Sequence, residues 1–123
     1  MSVTPAKAAK GRADRYFSLL IRATKGANGC QNCGASGDLQ CAHVIGRAFS
    51  NTRCLYANAF ALCGSCHWLF TNNALEWGMF IERTIGNEAY RELWELARSP
   101  AKVDWVETAR SLKAQLAELE AAA

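Results

Sequence analysis

The chain has 123 residues, half of them hydrophobic, and a formal net charge of +3. That length suits one domain whose core removes roughly two thirds of the unfolded surface from water. No stretch approaches the roughly 18 uncharged apolar residues of a membrane span, and the opening MSVTPAKAAKGRADR lacks the apolar segment of a secretory signal, so a cytoplasmic protein is expected. The charge is uneven: residues 1–53 carry eight Lys or Arg against Asp14 and Asp38, while residues 54–123 carry six against nine acids. A polyanionic partner would sit on the basic half.

In chain order, residues 1–12 read as a loose basic N-terminus. From 13 to 25 the apolar positions Tyr16, Leu19, Leu20 and Ala23 repeat at helical spacing, and Gly26 and Gly29 close that helix. Residues 30–70 hold all six cysteines and both histidines in a Gly-, Ser- and Asn-rich stretch with short apolar runs, at 39–45 and 60–62. Short strands and loops held by a metal are expected there. After it the pattern is helical. Asn73-Ala-Leu-Glu76 has capping-box spacing for a helix to about Ile85; Gly86 stops it, and Asn87 caps the next through Tyr90, Leu93, Trp94 and Leu96. Ser99-Pro100 reads as the cap and first-turn proline of a last helix, in which Trp105, Ala109, Leu112, Leu116 and Leu119 follow heptad spacing. That seam serves either packing on the chain's own helices or a homodimer. The aromatics Trp68, Phe70, Trp77, Phe80, Tyr90 and Trp94 read as core. The expected class is α+β: a single, mainly helical domain over 1–123 around a small metal-stapled ββα core.

Four of the cysteines form two C-x-x-C turns, Cys30-Gln-Asn-Cys33 and Cys63-Gly-Ser-Cys66. Each turn presents two sulfurs from one tight loop, and a pair of such turns is an economical tetrahedral thiolate site for structural Zn²⁺. A disulfide or redox framework is the alternative use of these thiols. Cys41 and Cys54 lie outside the pairs and read as small buried side chains.

Cys66 is followed at once by His67, while His43 lies on the short strand LQCAHVI and Asn58 in the loop before Phe60-Ala-Leu62. Strand with histidine, loop with asparagine, strand, then a helix opening with histidine is the order of a ββα-metal hydrolytic centre. There one imidazole deprotonates water, and the other helps hold a divalent ion at the phosphate.

The run CQNCG, LQCAHVIGR, NAFALCGSCH resembles the HNH (His-Me finger) endonucleases with a four-cysteine zinc knuckle. The resemblance implies that His43 is the general base, that Asn58 orients it or its loop, and that His67 binds a catalytic Mg²⁺ or Mn²⁺. The family's first metal ligand usually stands just before the base, where this chain has Ala42. The longer stretch through CHWLFTNNALEW is similar to small phage-type recombination nucleases of the NinG kind and to enzymes resolving Holliday junctions. DNA, including branched DNA, is then the expected partner. Arg47 and Arg53, with Ser50, Asn51 and Thr52 between them, suit phosphate contacts, and Lys7, Lys10, Arg12 and Arg15 would extend the same field. A zinc-stabilised DNA-binding or recombination-accessory module that does not cut is the competing reading.

Overall fold

The computed structural model describes residues 4–100 and 102–123. Helix α1 spans Pro5–Thr24, well ahead of the start expected at residue 13. Thr4 caps it by accepting the Lys7 N–H, Pro5 takes the first turn, and the alanines that follow are strong helix formers. The expected loose segment is thus helical from Pro5 onward, with Ala9 buried and most of its other side chains exposed; residues 1–3 lie outside the described residues. Gly26 sits where α1 meets the next strand: a Cβ there would clash with the backbone carbonyl oxygen of Arg22 and lie 2.7 Å from the Leu39 side chain.

Strand β1, Leu39–His43, pairs antiparallel with β2, Ala59–Cys63, with His43 opposite Ala59 and Leu39 opposite Cys63. Between them run a short helix α2, Ser50–Arg53, and a 3-10 turn at Tyr56–Asn58. Helix α3, Gly64–Asn72, follows β2 with no intervening loop, and α4, Ala74–Thr84, and α5, Gly86–Ala97, complete a layer on one sheet face. Helix α6, Trp105–Ala122, lies along α1 on the other. The chain is therefore α+β, mostly helical, with a two-stranded sheet between two helical layers. Among the described residues no helix is long and apolar enough to cross a membrane.

The period of two along the strands divides the core. Ala42, Phe60 and Leu62 face α3–α5, where Phe60, Phe70, Trp77 and Phe80 pack ring against ring at 4.8–6.1 Å between centroids. Cys41, Ala59 and Ala61 face the second cluster, with Phe17, Ile21, Ala109 and Leu112 of α1 and α6. Most of the heptad seam is filled within the chain: Ala109 and Leu112 are buried, and Trp105 and Leu116 pack beside them, while Leu119 is exposed. Trp68 is not core, because it stands 69% exposed on α3.

Two expected caps differ. Asn87 lies inside α5, which starts at Gly86 with φ +85°, and Ile85 holds the cap position without a side-chain bond. Asp104, not Ser99, caps α6, by accepting the Glu107 N–H. Ser99 closes α5 instead: its hydroxyl donates to the Leu96 carbonyl and accepts from Asn51.

Candidate metal centre and the two-histidine cleft

The first C-x-x-C turn is tied to the sheet by its own residues. Gln31 donates its N–H to the Ala61 carbonyl and accepts the Ala61 N–H on its side chain, at 2.9 and 2.8 Å. Gly34, at φ +79°, lets the turn fold back so that its N–H reaches the Cys30 carbonyl. The second turn is the opening of α3: the Cys63 sulfur caps the helix by accepting the Cys66 N–H. These anchors bring Cys30, Cys33, Cys63 and Cys66 together, with all four sulfurs within 4.8 Å of one another and Cys33 and Cys63 at 3.7 Å. A tetrahedron with metal–sulfur bonds of about 2.3 Å has edges of about 3.8 Å, so a small contraction would close the cluster around zinc. Asn32 donates its side-chain amide to Cys66 Sγ at 3.3 Å and accepts from Arg83 of α4 at 2.6 Å. Burial opposes ionisation of Cys30, yet backbone N–H groups of the two turns outweigh it and hold its thiol down to about 6. Burial pushes Cys66 up to about 12, so a bound ion must displace its proton. These groups could hold a metal such as zinc, and among the described residues no other set of three or more His, Cys, Asp or Glu side chains is so placed.

Cys41 and Cys54 stay apart from this cluster and are half-buried rather than fully buried as expected. Burial raises their thiols to about 11 and about 12, which keeps both protonated at neutral pH.

His43 and His67 line one cleft of about 440 Å³ with Asp14, Ser18, Cys41 and Arg47. His43 projects from the end of β1 against Phe17 of α1, with ring centroids 5.6 Å apart. Its Nε2 lies 2.8 Å from the Arg53 carbonyl, an acceptor, so Nε2 carries the proton and Nδ1 keeps a lone pair. Burial lowers the His43 pKa below its usual 6.5, against the raising effect of that bond, so the ring is neutral at pH 7. His67 lies one turn into α3, directly after the cysteine turn. Its Nδ1 is 2.6 Å from Gln40 Oε1, which fixes the tautomer with a lone pair on Nε2. Gln40 is a site residue that sequence reasoning missed. Its signal is only its place on β1 opposite Leu62, one residue ahead of α3's approach.

Asn58 is fully buried and does not touch either imidazole. Its Oδ1 accepts the Ile45 N–H, and its Nδ2 donates to the Ile45 and Thr52 carbonyls, at 2.8, 3.0 and 2.9 Å. It therefore fixes the loop that presents the Arg53 carbonyl to His43, so of its two expected targets it holds the loop.

The two arginines diverge. Arg47 is exposed at the cleft, as a phosphate contact requires. Arg53 instead grips Asp14 of α1 with Nε and Nη2, at 2.8 and 2.6 Å, and donates Nη1 to the Arg47 carbonyl. Only 16% of its side chain is exposed, so its guanidinium is committed to the fold rather than open for phosphate. Burial opposes the ionisation of Asp14, but Arg53 wins and holds its carboxyl below the usual value of 3.8. Asn51 and Thr52 also turn inward. Asn51 binds the end of α5 through the Leu96 and Ser99 carbonyls, and Thr52 is wholly buried. Ala42 lines a small adjoining pocket with His67 but offers no ligand atom.

Compared with protein-family models, with curated proteins and with solved structures, the chain finds no match in any of the three.

Proposed function

We propose that this chain is a metal-dependent endonuclease of the HNH type that hydrolyses DNA phosphodiesters, including those of branched recombination intermediates, in the two-histidine cleft. The observation that carries the reading is the pair of imidazoles on one cleft, each with one nitrogen tied to a fixed acceptor and the other keeping its lone pair. His43 takes the proton of the attacking water on Nδ1; the oxygen then attacks phosphorus and the ester oxygen leaves. Its neutral state at pH 7 suits that task. The Arg53 carbonyl stabilises the imidazolium as it forms, and Asn58 holds that carbonyl in place. Arg47 meets the phosphate.

His67 would hold Mg²⁺ or Mn²⁺ through Nε2, oriented by Gln40. When bound, such an ion supplies charge stabilisation at the scissile phosphate. The protein offers it one imidazole and no clustered carboxylate among the described residues, so affinity without DNA should be weak. The four cysteines would hold Zn²⁺ as a structural ion, fixing the first turn of α3 and with it His67.

Ala42 favours a second reading, a zinc-stabilised DNA-binding or accessory module that does not cut, because the usual ligand beside the base is missing. Supercoiled plasmid, linear duplex and four-way junction incubated with Mg²⁺, Mn²⁺ or EDTA separate the two. Cleavage in the metal lanes alone supports the nuclease; binding in every lane with cleavage in none supports the module.

A further inference from the structure

The same face of α1 that carries Asp14 into the cleft continues toward the N-terminus as a second concavity. Residues 7, 10, 11, 14 and 18 recur at helical spacing, so they form one strip about 16 Å long from Lys7 to Ser18. Beyond Asp14 the strip walls a groove of about 570 Å³, closed on its other side by Trp105 at the start of α6. Asp14 lines both concavities, so the groove adjoins the cleft of His43 and His67.

We propose that this groove is a track for an unpaired DNA strand leading into the cleft, an inference that rests on the nuclease reading of that cleft. Three features select this occupant. The first is charge: Lys7, Lys10 and Arg47 line the two concavities, and the one lining carboxylate, Asp14, is already neutralised by Arg53. The second is a prepared cation. Lys10 Nζ stands 5.3 Å from the centroid of the Trp105 ring, a cation–π contact that holds the ammonium at the groove wall and reduces the entropy lost on meeting a phosphate. The third is position: the groove shares Asp14 with the cleft, so a strand lying in it would reach the two histidines. Gly11 adds clearance at its rim, with nothing within 4 Å of where a Cβ would stand. Positive walls with an aromatic surface are the general chemistry of single-strand grooves. A branched substrate supplies such a strand next to the duplex that is cut.

Fluorescence anisotropy in EDTA tests the track without cleavage, using labelled blunt duplex and the same duplex with a single-stranded tail across a salt series. The tailed DNA should bind about fivefold tighter or more, the low end for one base on an aromatic face. The double variant Lys7→Ala/Lys10→Ala should abolish that preference and reduce the log–log salt slope by about 1.4, two single-strand phosphates' worth. Both lysines are on the surface of α1, and circular dichroism checks that the fold is kept. Equal binding of tailed and blunt DNA, or an unchanged slope in the variant, overturns the track. So does tight blunt-duplex binding that the variant loses, which would mean that α1 docks on duplex. Metal-dependent plasmid cleavage without tail preference refutes the track and leaves the nuclease standing; tail preference without cleavage does the reverse.

Discussion

Replacing Asn58 with Ala removes three hydrogen bonds made by a side chain that is fully buried. The Ile45 N–H and the Ile45 and Thr52 carbonyls lose their partner at once, in a place where water does not reach them. An unsatisfied buried group costs about 1–3 kcal/mol, and three that relax partly together should cost about 3–5 kcal/mol. Against a domain stability of about 5–15 kcal/mol that is a large fraction. Urea unfolding of the zinc-loaded protein, followed by tryptophan fluorescence, should give the loss as a lower midpoint at unchanged slope, and the melting temperature should fall by about 10–25 °C. Any of the variant that remains folded should also cut more slowly, because the loop presenting the Arg53 carbonyl to His43 is loosened. A stability loss below about 1 kcal/mol would refute the claim that Asn58 is the clamp of this loop.

Since burial depresses His43, the acid limb of the cleavage rate should have its midpoint below 6.5, with a plateau at pH 7 where the ring is already neutral. Between that midpoint and 6.5 the unfolded chain binds more protons than the folded one, so stability should also decline as pH falls through this window; a limb centred above 6.5 contradicts the buried environment. Asp14→Asn leaves the half-buried Arg53 without its carboxylate, and should cost about 1–2 kcal/mol in denaturant titration while cutting is slowed less than by loss of His43. In the zinc-loaded protein Cys41 and Cys54, raised to about 11 and about 12, should be alkylated at pH 8 more than about tenfold slower than a free thiol; fast labelling counted by mass spectrometry would contradict thiols held protonated. Chelation should release about one zinc per chain and loosen the start of α3, seen as faster amide exchange at Ser65–Trp68.

Spacing made the metal cluster legible, because two C-x-x-C turns can be brought together by few chain paths, and the four sulfurs do converge. The two-stranded core and the helices after it were legible for a similar reason: the short apolar run at 39–45 and the capping spacing at Asn73 are local signals. What sequence missed depended on partners distant in the chain. Arg53 looked like a free cation until Asp14, 39 positions away, took it. Residues 4–12 looked like a loose tail because alanine carries little hydrophobic signal; they are helical, and Ala9 is buried, although most of their other side chains stay exposed. Trp68 was placed in the core by its spacing, but it directly follows His67 on α3, and its direction is set by the cysteine turn, which faces it outward. The Asp104 cap could have been found, since Asp104-x-x-Glu107 has the same spacing as the cap that was recognised at Asn73.

Whether His43 deprotonates water in this cleft is decided by single-turnover cleavage of supercoiled plasmid by zinc-loaded protein in saturating Mn²⁺, wild type against His43→Ala. The rate should be lower by about 10²–10⁴ in the variant, with zinc content, fold and DNA affinity retained. Equal rates in the two proteins, or no cleavage by the wild type under any metal, would contradict it.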